Sequence, residues 1–469
     1  MTGPVPWQYH QVLAAIGANP DDTNPTWTDI TPYVDSVVSP VSVQSGRPTE
    51  QVTAEPSNLT LVLNNTDHRF TFGNASSPYA PYWRQGLKIR VIETIGYRSY
   101  PAFTGWLEES NIDDWAPPGV DQQITVTVID RLTRVDRSRV FISTLAEYIL
   151  YNGGSALLAY YPFNESSKSF RDVTGNNNPY LKMLSVVGSG FTVTSQAAAI
   201  QPAQGAPVLA DDGATVALVA GLGTNAGTNV WATVPNIEAD GYGLGIGSGF
   251  VLTVVCWLNL SAPATPYSIA TQLLSIGTLN CTLITSCDAL GMVSVLVSGA
   301  MSASATVAPF PVSGWTPLAI RFGPSANLLE VWIGNQRFPA TLTGTLASDT
   351  LNSIQLPEIQ GALGHVQVYI GHSADWDLPQ LAAQIVAART CLTGQYTGQR
   401  IKTLFQYAGV PASELSNVDN GVAMMGIAKL AGTTPYTKAT EAEQTEQGRL
   451  YADGNGLVVF QDRHRRYNR

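Results

Sequence analysis

Ile124-Thr-Val-Thr-Val-Ile129 sets Ile124, Val126 and Val128 on one side of an extended chain and two threonines on the other. A period of two with β-branched residues is the pattern of a half-buried strand. Asn58-Leu-Thr-Leu-Val-Leu-Asn64 repeats it, with Leu59, Leu61 and Leu63 on one face, and Val366-Gln-Val-Tyr-Ile370 and Leu457-Val-Val-Phe460 are of the same kind. Forty-two glycines and 29 prolines punctuate such runs. Many short strands between turns predict a mainly β chain of sandwiches or barrels. Helical spacing is sparse, in residues 378–389, 398–408 and 421–431. In the last, Met424 and Met425 read as core filler.

The 469 residues are 44% hydrophobic and 13% charged, which excludes a disordered chain and suits two to four domains. A net charge of −10 argues against a broad grip on nucleic acid. Two arginine groups, Arg131, Arg134, Arg137 and Arg139, then Arg463, His464, Arg465, Arg466 and Arg469, read as solvated or interface-facing edges. No apolar run is long enough to span a membrane. The first residues lack the basic-then-apolar order of a signal peptide. Cys256, Cys281, Cys287 and Cys391 have no CxxC spacing and read as buried thiols of a chain made in a reducing cytoplasm.

Chemistry-bearing constellations are scarce. His365 has no partner at ligand spacing, and His372 lies near Asp375 and Asp377 in what reads as a surface loop. Glu108-Glu109 and Asp113-Asp114 are local acidic pairs in polar turn sequence, so no catalytic residue is expected. Gly241 to Gly247 is glycine-rich but lacks the GK[ST] and following helix of a phosphate loop. Asp172 and Asn176 are the candidate metal ligands, for Ca²⁺ with loop carbonyls; the other reading is that their side chains hold a turn. Trp257, Trp315 and Trp332 occupy strand sequence and read as core, with a sugar-stacking platform as the alternative.

Three blocks carry a family resemblance. The first runs through Trp27-Thr-Asp-Ile-Thr-Pro-Tyr-Val34, Asn64-Asn-Thr-Asp-His-Arg-Phe70, Gln85-Gly-Leu-Lys-Ile-Arg-Val91 and Ala102-Phe-Thr-Gly-Trp106. It resembles the first domain of minor tail proteins at the tail tip of actinobacterial long-tailed phages, themselves similar to tail hub proteins. The second includes Ala156-Leu-Leu-Ala-Tyr-Tyr-Pro-Phe-Asn164, Arg171-Asp-Val-Thr-Gly-Asn-Asn177, Gly314-Trp-Thr-Pro-Leu-Ala-Ile-Arg-Phe322 and Leu363-Gly-His-Val-Gln-Val-Tyr369. It resembles a concanavalin-A-like jelly roll of the laminin-G type. The long Ala/Gly-rich stretch 184–249 departs from that pattern, so the loops that carry ligand sites in the family do not align. The third, Thr445-Glu-Gln-Gly-Arg-Leu-Tyr-Ala-Asp-Gly-Asn-Gly-Leu-Val-Val-Phe-Gln-Asp-Arg463, again resembles the minor tail proteins. Its Asp453-Gly-Asn-Gly456 is a hairpin signal.

The resemblance implies a split-barrel tail-hub module in residues 1–150 and 394–469, interrupted by a jelly roll in residues 151–393. It implies a virion component of the tail tip or baseplate that forms a ring, three copies favoured and six the alternative. The jelly roll would attach to host-envelope glycan or, alternatively, only dock other tail proteins, as in a distal-tail-type adaptor. A glycan-degrading tail enzyme is the further alternative. No cofactor is expected beyond Ca²⁺ in the jelly roll, and no nucleic-acid specificity.

Overall fold

The computed structural model describes residues 8–35, 41–46, 55–112, 122–162, 169–183, 192–195, 216–219, 237–260, 271–288, 291–311, 315–356, 361–372 and 378–467. The chain forms two compact units. The first comprises Met1–Val140, Gly394–Gly426 and Thr433–Arg469, and the second Phe141–Thr393 and Ile427–Gly432. The fold is mainly β, with antiparallel sheets and few helices.

The first unit opens with β1 (Gln8–Ala14), β2 (Thr28–Asp29), β3 (Ser42–Gly46), β4 (Glu55–Asn64), β5 (Lys88–Ile95), β6 (Arg98–Ile112) and β7 (Gln123–Ile129), followed by helix α1 (Arg131–Ser138). The sheet order is β2-β1-β5-β6-β7-β4-β3. The chain after β2 then meets β4, through a Val34–Leu63 bridge and an Asp35 N–H bond of 2.9 Å to the Val62 carbonyl, so the sheet closes on itself. The alternating residues point inward: Leu59, Leu61, Leu63, Ile124, Val126 and Val128 are all buried. Phe70 and Trp83, 4.7 Å apart, pack on the same core. Asn65 anchors the loop that carries them, its Oδ1 accepting the Phe70 N–H at 2.9 Å. Asp130 caps α1 through the Thr133 N–H and also accepts the Ser57 N–H at 2.7 Å, which holds helix and β4 together.

The second unit begins with α2 (Thr144–Gly153), capped by Ser143. Its strands are β8 (Leu157–Tyr161), β9 (Ser169–Phe170), β10 (Leu181–Met183), β11 (Thr192–Ser195), β12 (Val216–Val219), β13 (Ile237–Ile246), β14 (Phe250–Leu260) and β15 (Thr271–Thr278). They continue with β16 (Cys281–Cys287), β17 (Met292–Gly299), β18 (Ala303–Pro309), β19 (Thr316–Gly323), β20 (Leu328–Ile333), β21 (Gln336–Thr341), β22 (Asp349–Leu356) and β23 (Gly361–His372), before α3 (Leu378–Thr390). One sheet has the order β18-β17-β16-β15-β22-β13-β10-β9, and the other β11-β12-β23-β14-β19-β20-β21 with β8 also on β23. Leu252, Val254, Cys256 and Leu258 of β14 share a core with Leu274, Ile276, Leu283 and Val295 of the other sheet. The sandwich thus has its filling. A second core forms on the opposite face of β14, β19 and β20, where Val255, Trp257, Trp315, Ala319 and Trp332 pack with Leu145 and Ile149 of α2 and Leu381 of α3. β19 is buried along its whole length, and its one charged side chain, Arg321, is paired with Glu330 of β20.

Residues Ile427–Gly432 return to this unit as a strap. The Ala428 N–H bonds the Cys391 carbonyl at 2.8 Å, the Ala428 carbonyl accepts the Thr144 hydroxyl at 3.0 Å, and the Gly432 N–H bonds the Phe141 carbonyl at 3.0 Å. Both ends of the unit are gripped by one short segment.

The first unit resumes with α4 (Thr397–Tyr407), β24 (Asn417–Val418), α5 (Pro435–Glu446), β25 (Arg449–Ala452), β26 (Val458–Gln461) and α6 (Arg463–Tyr467). β25 and β26 form the hairpin, with Asp453 Oδ1 accepting the N–H groups of Asn455 and Leu457, both at 2.9 Å. The turn lies on β6: the Thr104 hydroxyl donates to the Gly454 carbonyl at 2.8 Å, and a Cβ on Gly454 would sit 1.8 Å from the Pro101 carbonyl oxygen. Gly454→Ala is therefore expected to cost about 1–3 kcal/mol, the range of an overpacked contact, read as a lower denaturant midpoint. An unchanged midpoint would show that the turn leaves β6 freely.

Residues 421–431 are not the expected helix. Gly421 has φ 79°, and the N–H groups of Val422 and Ala423 are taken by Glu446 Oε2, each at 2.9 Å, so the segment runs extended. Met424 is 64% exposed rather than core filler.

Candidate functional site

Asp172 and Asn176 sit in the turn after β9, and hydrogen-bond donors surround the Asp172 carboxylate. Asp172 Oδ1 accepts the N–H groups of Tyr160 at 2.9 Å and Thr174 at 3.0 Å, while Oδ2 accepts the Thr174 hydroxyl at 2.7 Å and the Asn178 amide at 2.8 Å. The Asn176 amide donates to the Leu158 carbonyl at 2.9 Å, as does that of Asn178 at 2.5 Å. A calcium ion needs those oxygens for itself. The residues present do not fit one; they fit a turn that fastens β8 to the segment after β9. Asp172→Ala is expected to lower stability by about 1–3 kcal/mol through unsatisfied donors, with a Tm that chelator or added Ca²⁺ leaves unmoved. A calcium-dependent Tm would refute the turn reading.

Trp257, Trp315 and Trp332 are fully buried, so none is a stacking platform in this conformation. They fill the helix-covered core rather than the space between the sheets. Beside them His365 is wholly buried, with Nδ1 2.6 Å from the Tyr160 hydroxyl, and burial pulls its pKa down to about 3. It is a neutral structural histidine. Gln384 of α3 completes the layer, exchanging hydrogen bonds of 3.1 and 3.0 Å with Gln367, which also accepts the Tyr369 hydroxyl at 2.6 Å. His365, Gln367 and Tyr369 lie on β23 and Gln384 on α3, and alternation along the strand gave no hint of a polar seam under a helix.

All four cysteines are buried thiols, and none is in a disulfide. Burial pushes the Cys256 thiol up to about 12 and that of Cys287 up to about 11, which leaves little thiolate for chemistry. Glu108 pairs with Arg137. The side chains of Glu109 and His372, and residues Asp113, Asp114, Asp375 and Asp377, lie outside the described residues. Among the described residues no group of three or more His, Cys, Asp or Glu side chains could hold a metal. No helix of the described residues is long and apolar enough to cross a membrane.

Neither arginine group is a bare edge. Arg131 is buried against Trp106, 4.2 Å from its ring, and pairs with Glu414. Arg134 and Lys88 approach the same indole at 4.8 and 5.2 Å, and Asp21 meets Arg134 at 2.9 Å. Burial lowers the pKa of Lys88, whose ammonium donates to the Asp22 carbonyl at 2.6 Å. Arg463 bonds Glu446 at 2.9 Å, Arg465 bonds Asp419 at 3.0 Å, and Arg466 bonds the Gln447 carbonyl at 2.9 Å. Spacing of three along 131–137, behind an Asp at the cap position, was the signal of α1 that a charge count missed.

The surface that stands apart is the outer face of β16, β17 and β18. Cross-strand register places Ser286, Ser294 and Thr306 in one row and Ile284, Leu296 and Ser304 in the next. The Ser286 and Ser294 hydroxyls are 3.0 Å apart, Ser304 and Thr306 are exposed, and Leu296 is 48% exposed.

No family model matches the sequence, and no curated protein matches it. Solved structures do. The binding domain of botulinum neurotoxin DC in complex with SialylT has 7% identity and a TM-score of 0.31, over 52% of this chain and 54% of that one. A Trypanosoma rangeli sialidase in complex with a difluoro-KDN has 9% identity and a TM-score of 0.32, over 77% and 57%. Domain 4 of AbnA, an extracellular arabinanase from Geobacillus stearothermophilus, in complex with arabinotriose, has 17% identity and a TM-score of 0.26, over 49% and 98%. The chain thus spans a little over half the length of the first two. Similarity at this level bears on neither activity nor ligand.

Proposed function

We propose that the chain is a structural component of a phage tail tip: the first unit assembles into a ring, and the second is displayed for attachment to host-envelope glycan. The observation that carries this reading is the interruption of one body by another. β1–β7 and the elements from α4 onward belong to a single compact unit, stitched by Arg131–Glu414 and by the Gly454 turn on β6. A unit with its own two-sheet core is inserted between them. Domain ends that lie close together at the surface tolerate an insertion of this kind. The tail-protein motifs quoted above supply the assignment to a phage.

A closed ring uses one heterologous interface repeated around an axis, three copies being favoured and six the alternative. Light scattering of the purified full chain tests this, with three times 50.1 kDa as the expected mass. Imaging of the particle tests the location. A chain that stays monomeric at high concentration and is absent from purified particles would end the proposal.

A further inference from the structure

From Gly241 to Ile320 the sequence carries one charged side chain, Asp288. That stretch supplies β14 to β18 and the start of β19, and it includes strands with a solvent-facing side. Water-facing sheets ordinarily carry Lys or Glu, which hold them apart from other sheets. Here the outward positions of β16, β17 and β18 hold Ser, Thr, Ile and Leu. The inward positions of the same strands are Leu283, Val295, Val297 and their neighbours, so the alternation is kept and only the charge is missing.

An uncharged face selects by charge type. A polyanion or polycation laid on it would lose water and meet no counter-charge, which is unfavourable. A neutral polyol loses far less. Each Ser or Thr hydroxyl offers one donor and two acceptor lone pairs, so it can answer a sugar hydroxyl in either role. The row Ser286, Ser294, Thr306 crosses three strands, spaced about 4.8 Å apart, close to the length of one sugar ring along an extended chain. Ile284 and Leu296 lie beside that row and offer an apolar strip to the C–H face of a ring.

We propose that the outer face of β16, β17 and β18 binds an uncharged polysaccharide, its hydroxyl row tracking the chain and Leu296 contacting a ring face. This deepens, and rests on, the reading of the second unit as an attachment module. No described aromatic ring lies in these rows, so a single site is weak, and useful retention comes from several copies acting together.

Affinity electrophoresis of the full chain tests it, with gels carrying dextran, mannan or arabinogalactan, heparin as the polyanion, and polysaccharide-free gels as reference. The expected result is retardation by at least one neutral polymer and none by heparin. Leu296→Glu and Thr306→Glu, both at exposed positions, are expected to lose that retardation while keeping the parent's Tm. Parent and variants retarded alike would place the glycan site elsewhere, overturning the proposal while the attachment reading stands. A parent that no neutral polymer retards, or that heparin alone retards, removes both, and leaves the ring to be judged by its mass. Variants that reduce the assembled mass would show that the face covers a second copy, which also overturns the proposal.

Discussion

Glu446→Ala is expected to destabilise the first unit by about 3–5 kcal/mol, the cost of stripping one partner from a buried, charged hydrogen-bond network. The carboxylate is fully buried at the end of α5. Oε2 accepts the Thr397 hydroxyl at 2.7 Å and the N–H groups of Val422 and Ala423, and Oε1 accepts Arg463 Nε. One side chain therefore joins α4, the extended 421–425 segment, α5 and α6. Burial opposes its ionisation, but the N–H of Ala423, the Thr397 hydroxyl, the N–H of Val422 and Arg463 outweigh it and hold its pKa at about 2. The sign follows: the unfolded carboxyl titrates near 4.5, so the contribution is complete above that pH and fades as pH falls toward 2. Urea titrations of parent and Glu446→Gln across this range should converge at the acid end. A gap independent of pH would show that the ionised form is not what matters.

The second large effect belongs to Glu330 on β20. Its Oε2 accepts Arg321 Nη1 at 2.9 Å and Trp332 Nε1 at 3.1 Å, and Oε1 meets Arg337. Arg321 and Glu330 face each other across β19 and β20 and are both buried. Glu330→Ala leaves the Arg321 guanidinium buried without its counter-charge, and about 3–5 kcal/mol of stability of the second unit should go with it. Replacing both residues, Glu330→Leu with Arg321→Met, should recover most of that loss, because the desolvation of the pair disappears with the pair. If the double variant is as unstable as the single one, packing at β20 rather than charge accounts for the loss.

The strands of the first unit were legible because period two is a direct print of a half-buried sheet. Leu59, Leu61, Leu63, Ile124, Val126 and Val128 needed nothing beyond alternation. The hairpin at Asp453–Gly456 was equally plain, but its docking on β6 was not. Gly454 looks like any turn glycine until the Pro101 carbonyl is seen against it. Residues 421–431 misled because Ala, Met and Leu at helical spacing describe side chains, whereas a distant carboxylate had captured the backbone donors a helix would use. The first arginine group misled for a related reason: a count of cations does not know that Trp106 and Glu414 lie against Arg131. For Asp172 and Asn176 the residue types favour a turn without excluding an ion, and the positions of Thr174 and Asn178 decide.

The chain crosses between the two units four times, since Ile427–Gly432 belongs to the second although it follows Gly394–Gly426 of the first. Its grip on Phe141, Thr144 and Cys391 makes the inserted unit a poor candidate for simple cut-and-paste. A chimera that exchanges residues 141–393 alone would close a foreign sandwich with the recipient's own six-residue clasp. A working exchange therefore has to carry along a scrap of sequence more than thirty positions downstream of the obvious junction.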